Sequence, residues 1–266
     1  MELALNTDKM IARKEDGIGW IIFNNPARRN AVSLEMWEGV QQIVADYAAD
    51  DDVRVAVLAG AGDKAFVSGA DISEFEEKRN SAEAEELYRS VSVGAQRSLV
   101  GFEKPIIAMI RGYCVGGGVA VALTADIRIA GDDAQFAIPA ARLGLGYNYP
   151  GLKTLTDLVG PAMAKEIFFT ARRFKAAEAA AMGLVNRVVP VAELDATVRD
   201  YARMIAENAP LTIRAAKAAV REALKDESQR DIDGVERLVK ACFDSADYAE
   251  GRRAFMEKRK PEFKGR

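Results

Sequence analysis

Histidine, the side chain that most often moves protons near neutral pH, is absent from these 266 residues. A Ser-His-Asp triad, a Cys-His pair and a His-ligated metal are therefore excluded, and we predict no metal site. Carboxylates, tyrosines, lysines and the two thiols remain as candidates for acid-base chemistry. Each of these needs a tuned environment to work near pH 7, unless it acts only as a hydrogen-bond donor.

Two glycine-containing loops can place backbone N–H groups against a ligand. The first, GAGDKAFVSGADISEF, follows a predicted strand, and its Asp71 can cap the helix that comes next. The second, IRGYCVGGGVAVALTADIRIA, has Gly116, Gly117 and Gly118 between a strand and an apolar helix. A tight turn and close helix packing are the structural alternatives. Together, two N–H donors from separate loops can converge on one developing oxyanion.

The elements that must position these loops alternate between strands and helices. Strands are predicted at 10–15, 18–23, 53–59, 105–110 and 127–130, the first two joined by an Asp16-Gly17 turn. Ser33 can cap an amphipathic helix, because apolar residues recur at helical spacing from Leu34 to Tyr47. This order predicts an α/β (or α+β) fold with right-handed crossovers.

The pattern becomes wholly helical from about Ala192 onward. Pro210 separates two helical segments at 193–209 and 211–227, and a last helix is expected at about 247–259. We therefore predict a core at 1–190 and a C-terminal helical region at 191–266.

Composition limits the partners of this chain. The net charge of −3 and the pI near 5.4 give no general attraction to nucleic acid or to an anionic membrane. The most apolar stretch, 115–125, is about half the ~20 residues of a spanning helix. Two cysteines are too few for a disulfide framework, and the first residues resemble no secretory or transit signal. We expect a cytoplasmic protein without nucleic-acid or membrane partners.

Five segments resemble the successive motifs of the crotonase (enoyl-CoA hydratase/isomerase) superfamily. In order they are NNPARRNAVS, AFVSGADI, GYCVGGGVA, FFTARRFKAAEAAAMGLVNRVV and EGRRAFMEKRKPEFKGR. The resemblance covers nearly the whole chain and rests on all five motifs in register. It implies a spiral of ββα units with a C-terminal helical trimerisation region, assembled as a homotrimer or a dimer of trimers. It also implies an acyl-coenzyme-A substrate, with no cofactor beyond coenzyme A as the carrier.

Carried over residue by residue, the resemblance places an oxyanion hole at the backbone N–H groups of Ala70 and Gly117. The coenzyme-A-binding positions that it implies are Arg29-Asn30-Ala31, the Ser68 carbonyl, Ala70, Asp71, Phe255 and Lys258. Phe255 and Lys258 lie in a tail, 251–266, whose seven basic and two acidic residues give +5. The family uses this tail to cover coenzyme A, often that of a neighbouring subunit. A solvated face and nucleic-acid binding are the alternatives.

Two positions depart from the family pattern. Hydration of an enoyl thioester needs a base for water and an acid for the α-carbon, which the hydratases supply with two glutamates. The matching positions here are Ala120 and Ala140. Losing one such group costs about 10²- to 10⁴-fold in rate, so an efficient glutamate-dependent hydratase is not expected. Glu74 or Glu76 could act as a substitute carboxylate.

The segment ARLGLGYNYPGLKTL resembles the methylmalonyl-CoA decarboxylase branch, as do FDSADYAEG and EKRKPEF. In that branch the tyrosine that matches Tyr147 holds the substrate carboxylate, and Arg142 can add a positive charge nearby. Decarboxylation needs no enzymatic base for its first step, because departing CO2 leaves the electrons of the enolate. Against this, the branch carries a histidine at the position of Ala70.

Several hypotheses stay open at this level. One is an enzyme that stabilises a thioester enolate, for decarboxylation, isomerisation, thioester cleavage or a non-standard hydration. Another is a non-catalytic acyl-CoA-binding paralogue, in which case Tyr147 has only a packing role.

Overall fold

Strand pairing builds two sheets in the computed structural model, which describes residues 3–71 and 82–266. The larger sheet, in the order β1-β2-β3-β5-β7-β10, consists of Met10–Glu15, Ile18–Phe23, Val55–Gly60, Ile106–Ile110, Ile127–Gly131 and Arg187–Val189. The smaller sheet, in the order β4-β6-β8-β9, consists of Ala65–Val67, Tyr113–Val115, Gln135–Ala137 and Phe174–Lys175. The pairs β1–β2 and β8–β9 are antiparallel, and the other pairs are parallel.

Helices alternate with these strands and then continue alone to the C-terminus. They are α1 Leu34–Ala49, α2 Ala82–Gly101, α3 Gly117–Leu123, α4 Tyr149–Thr170, α5 Ala176–Ala181, α6 Leu194–Ala206, α7 Pro210–Ala223, α8 Ile232–Asp244 and α9 Ala246–Glu257. Ser33 caps α1, as predicted, by accepting a hydrogen bond from the Met36 N–H. A left-handed glycine followed by proline, Gly160-Pro161, breaks α4 into two segments. No helix within 3–71 and 82–266 combines the length and apolar character needed to cross a bilayer.

Both faces of the larger sheet are buried, and β3 shows how one strand serves both. Its alternate residues Ala56 and Leu58 face the main core, which includes α1 and the smaller sheet. Val55, Val57 and Ala59 face a second core, closed by Leu194, Val198 and Ala202 of α6. The continuous apolar run of β3 follows from this double burial. The domain boundary near residue 190 stays a prediction, and α6, just beyond it, packs on the sheet.

The α/β class and the order of the long elements are confirmed. The first two predicted strands match β1 and β2, and the other three differ from β3, β5 and β7 by one or two residues at an end. The last helix ends at Glu257 because Lys258 takes a left-handed conformation, φ 54°. The smaller sheet was not predicted. Its strands have two or three residues, which is too short for an alternating pattern to show in the sequence.

Candidate active site

The smaller sheet brings the two glycine-containing loops together. Because β4 and β6 are adjacent parallel strands, the loops that follow them leave at the same edge. A β-carbon built on Gly117 would lie 3.6 Å from the Gly69 Cα and 3.8 Å from the Ala70 nitrogen. The backbones of the two loops are therefore in contact, with both predicted N–H groups on the contacting segments.

Hydrogen bonds on either side of Ala70 fix the direction of its N–H group. The Val32 N–H donates to the Gly69 carbonyl at 2.8 Å, and the Asp71 N–H donates to the Val32 carbonyl at 3.1 Å. Gly117 is the first residue of α3, where an N–H group has no intrahelical acceptor. Within the described ranges, neither the Ala70 nor the Gly117 N–H donates a hydrogen bond, and both residues are half-buried. Two backbone donors are thus available to an oxyanion.

Gly118 sets how closely α3 approaches β4. A β-carbon at this position would lie 1.9 Å from the Val67 carbonyl oxygen, a distance that no side chain can occupy. The third glycine of the triplet is therefore explained by close packing of the α3 backbone against β4. The sequence allowed either close packing or ligand approach for the triplet, and the position of Gly118 favours close packing.

The two positions that the resemblance matches to the hydratase glutamates lie beside these loops. Ala120 is half-exposed, one turn along α3 from Gly117. Ala140 is 5% exposed in a short 3-10 turn, Pro139–Arg142, that follows β8. A β-carbon on Gly116 would lie 3.9 Å from Cδ of Pro139, so this turn borders the second loop. Methyl groups at both positions can neither accept nor donate a proton.

Tyr147 is half-buried at the entrance to α4. Its ring meets Phe168 edge to face at a centroid distance of 4.9 Å, and burial raises the pKa of its phenol above the ordinary value. Asn148 caps α4 by accepting from the Gly151 N–H at 3.3 Å, while Arg142 is exposed. The phenol is therefore neutral at pH 7. It can donate a hydrogen bond, and its ring also has the packing role considered from the sequence.

The segment assigned to the nucleotide end of coenzyme A lies against the first loop. The buried side chain of Asn30 accepts from the Asn25 N–H and donates to the carbonyls of Ala61 and Ala65. Ala31 is also buried, Arg29 is exposed, and the Ser68 hydroxyl donates to the Arg28 carbonyl at 3.3 Å. The structure thus brings Arg29, Ala31 and Ser68 together. Ser68 contacts this segment through its hydroxyl, whereas its carbonyl is the group predicted to bind coenzyme A.

The tail residues Phe255 and Lys258 lie in the C-terminal helical region, apart from the Arg29–Ala31 segment. Phe255 is on α9, and Lys258 follows its last residue. Phe255 is 82% exposed and borders a groove of about 730 Å³ between α7, α8 and α9. The chain reverses at Lys258 and is tied back to α9, because Asp247 accepts the N–H groups of Lys264 and Gly265 at 2.7 Å. Covering of coenzyme A by these residues stays a prediction.

Some predicted residues lie at or beyond the limits of the described structure. Asp71 is 8% exposed, and the helix start that it was expected to cap falls in 72–81, outside the described residues. Glu74 and Glu76 lie in the same stretch. Val32 and Gly69, whose hydrogen bond orients the first loop, were not predicted as site residues, although Gly69 was visible in the motif.

Comparison with known proteins agrees with this architecture. The family profile described as "Enoyl-CoA hydratase/isomerase" matches residues 13–266. The short-chain-enoyl-CoA hydratase of Clostridium acetobutylicum is 35% identical over 263 residues, which cover 98% of this chain and 100% of that protein. The carnitinyl-CoA dehydratase of Proteus mirabilis is 35% identical over 257 residues, covering 92% and 94%.

Solved structures extend the agreement to the fold. An enoyl-CoA hydratase/carnithine racemase from Magnetospirillum magneticum superposes with a TM-score of 0.92 at 37% identity, covering 98% of this chain and 97% of the other. The crotonase fold predicted from the five motifs is confirmed. By the family match over 13–266 and by these relatives, the chain belongs to the enoyl-CoA hydratase/isomerase family of the crotonase superfamily.

Proposed function

We propose that this chain is an acyl-coenzyme-A enzyme that stabilises a thioester enolate with the backbone N–H groups of Ala70 and Gly117. One observation carries the proposal. Two available N–H donors lie on contacting loops, while alanine occupies both neighbouring positions that hold glutamates in the hydratases. The site can therefore receive negative charge on the thioester oxygen without moving protons through those positions.

Decarboxylation fits such a site. In a malonyl-type thioester, the bond between the α-carbon and the carboxylate breaks and CO2 leaves. The bonding electron pair becomes the enolate, whose oxyanion accepts hydrogen bonds from the two N–H groups. A proton from water then reaches the α-carbon, so that the products are CO2 and the shortened acyl-CoA. Only the stabilisation of the enolate is required of the enzyme in the first step.

Tyr147 is the candidate for orienting the substrate carboxylate. Burial raises the pKa of its phenol, which keeps the O–H group protonated, and the edge-to-face contact with Phe168 fixes its ring. A protonated phenol can donate to a carboxylate without acting as a base. Arg142 is the candidate for an added positive charge.

The remaining parts of the proposal concern the carrier and the assembly. Coenzyme A is bound through Arg29, Ala31, Ser68 and Asp71, with Phe255 and Lys258 covering it in a homotrimer or a dimer of trimers. No cofactor beyond coenzyme A takes part. The location proposed for the enzyme is the cytoplasm.

A mass-spectrometric time course tests the reaction. Purified protein is incubated with methylmalonyl-CoA, crotonyl-CoA and a saturated acyl-CoA, and CO2 loss, water addition and thioester cleavage are followed. We expect CO2 loss from methylmalonyl-CoA, with a rate that falls about 10- to 100-fold in Tyr147→Phe, the cost of one hydrogen bond to a charged group. Rapid addition of water to crotonyl-CoA, without CO2 loss, would contradict the proposal. Coenzyme-A binding without any turnover would favour a non-catalytic paralogue.

Hydration with a substitute carboxylate is a second candidate, favoured by the names of the relatives. Proteins 35% identical to this chain are called short-chain-enoyl-CoA hydratase and carnitinyl-CoA dehydratase. Glu74 and Glu76 follow the first loop in the sequence and can supply the base. If water addition is observed, its loss in Glu74→Gln or Glu76→Gln, but not in Glu83→Gln farther along, would identify the carboxylate.

A further inference from the structure

Two arginine side chains converge on one tyrosine ring at the N-terminal end of β6. The guanidinium carbons of Arg29 and Arg173 lie 5.1 Å and 5.2 Å from the centroid of the Tyr113 ring. Because both lie near the same centroid, the two positive charges are within about 10 Å of each other, roughly one Debye length at 0.1 M salt. Both arginines are exposed, and Tyr113 is half-buried.

These two charges have no acidic partner in the described ranges. Neither Arg29 nor Arg173 forms an ion pair there, in a chain whose net charge is −3. The neighbouring Arg172 differs, since it pairs with Glu166 at 2.9 Å and with Glu178 at 2.7 Å. Two adjacent arginines thus differ in their contacts, since Arg172 is paired with two carboxylates and Arg173 forms no ion pair within the described ranges.

The backbone holds this arrangement in place. Arg29 adopts a left-handed conformation, φ 54°, which costs a non-glycine residue free energy and persists where neighbours over-determine it. The buried hydrogen bonds of Asn30 supply that restraint. Tyr113 is fixed by its N–H donating to the Lys64 carbonyl at 3.1 Å, and Arg173 is fixed just before β9, whose Phe174 is 1% exposed.

The site lies across the smaller sheet from the oxyanion-hole loops. Tyr113 begins β6, and Gly117 begins the helix after it, so their Cα atoms are at most about 14 Å apart. In an acyl-CoA, the long pantetheine arm separates the thioester from the phosphates. A thioester at the hole can therefore reach a phosphate site at some distance along the same sheet.

We infer that Arg29 and Arg173 form a phosphate clamp, held on Tyr113 as an aromatic platform, and that its occupant is a phosphate group of coenzyme A. Guanidinium groups match phosphate oxygens with paired hydrogen bonds, and stacking on an aromatic face orients them. The identity of the ligand rests on the proposed function. Coenzyme-A binding beside Arg29 is already implied by the resemblance, and the new assignments are Arg173 and Tyr113.

Isothermal titration calorimetry tests the clamp independently of turnover. The probes are coenzyme A, 3′-dephospho-coenzyme A, inorganic pyrophosphate and pantetheine, which lacks phosphate. We expect Arg173→Ala to weaken coenzyme-A binding about 10- to 100-fold, the effect of removing a charged hydrogen-bond donor. Arg172→Ala, the matched control, should stay within about twofold, because its charge is already paired. Tyr113→Leu should weaken binding, and Tyr113→Phe should not, since it keeps the ring.

The arms of the titration separate the outcomes. A loss in Arg173→Ala that is seen with coenzyme A but not with 3′-dephospho-coenzyme A assigns the clamp to the 3′-phosphate. A loss with both assigns it to the diphosphate. Equal effects of Arg172→Ala and Arg173→Ala, or equal effects on pantetheine and coenzyme A, would overturn the clamp. If the wild-type protein binds coenzyme A through Arg173 but turns over no acyl-CoA, the proposed function fails and the clamp stands.

Discussion

The loops at 68–70 and 116–118, which carry the proposed oxyanion hole and are here called the hole loops, differ from the adjacent positions 120 and 140 in where their proposed chemistry resides. The hole loops use main-chain N–H groups, which every residue except proline supplies. Positions 120 and 140 can move protons only through their side chains, and both are alanine. A substitution in the hole loops keeps the main-chain donors and can act only by altering the shape of the loops, whereas one substitution at a proton-transfer position removes its chemistry. The proposed charge stabilisation therefore depends on the backbone of the hole loops, and proton transfer would depend on the side chains at 120 and 140.

Steric limits make the two regions differ in tolerance as well. In the hole loops, a single β-carbon on Gly118 would overlap the Val67 carbonyl. At the proton-transfer positions, Ala120 is partly exposed rather than sealed in the core. Substitutions in the first region should damage an existing function, and substitutions in the second should add a new one.

Gly118→Ala is expected to have the largest effect. The added β-carbon, 1.9 Å from the Val67 oxygen, forces α3 away from β4 and separates the two N–H donors. The proposed acyl-CoA turnover should fall at least about 100-fold in kcat, the usual cost of losing one oxyanion donor. Gly101→Ala is the matched control, because its β-carbon meets no atom within 4 Å.

Gly117→Ala keeps this test valid if the first variant does not fold. Its β-carbon makes only ordinary contacts, 3.6 Å from the Gly69 Cα, yet borders the Ala70 nitrogen at 3.8 Å. Thermal unfolding should change little while turnover falls about tenfold, less than for a lost donor. Unchanged kcat in a folded Gly117→Ala protein would argue that the oxyanion is bound elsewhere.

Ala120→Glu is expected to have the next largest effect, as a gain. The carboxylate enters a partly exposed position one turn from Gly117, and a glutamate with its ordinary pKa of about 4 is ionised at pH 7. Hydration of crotonyl-CoA should rise about 100-fold over the wild-type rate, the contribution of one general base. Ala120→Gln, which has the same size without the charge, should not show this rise.

The contrast between the hole loops and position 120 would be contradicted if the Ala120→Glu protein bound acyl-CoA but hydrated crotonyl-CoA no faster than the wild type. Position 120 would then not face the substrate held by the hole. Ala140→Glu is the weaker test, because Ala140 is 5% exposed and a buried carboxylate costs stability and raises its own pKa.

The long elements were predictable because their residues repeat over several turns or pleats. Helix α1 was predicted from apolar spacing and a Ser33 cap, and β3 from an apolar run. The smaller sheet was not, since β4 and β6 have three residues each and their partners lie far apart in the sequence. That sheet is nonetheless what brings the hole loops together.

The candidate site was predictable to the extent that motifs named its backbone positions. The contact between the loops of Ala70 and Gly117 agrees with the motif assignment, whose catalytic roles stay predictions. The pairing of Arg173 with Tyr113 was not foreseeable, because sixty residues separate them and the adjacent Arg172 has the same side chain. Only tertiary packing distinguishes the two arginines.

The pH dependence of turnover gives the smallest expected effect and tests the proposed role of the Tyr147 phenol. Burial raises the pKa of this phenol above its ordinary value of about 10, so the neutral form persists to higher pH. If the phenol donates to the substrate carboxylate, the rate of CO2 loss should stay level from pH 7 to about 10 and decline only above that. The raised pKa also contributes to the stability of the folded state below about pH 10, and this contribution is lost as the pH rises further. A decline centred near pH 8, retained in Tyr147→Phe, would instead indicate a different titrating group.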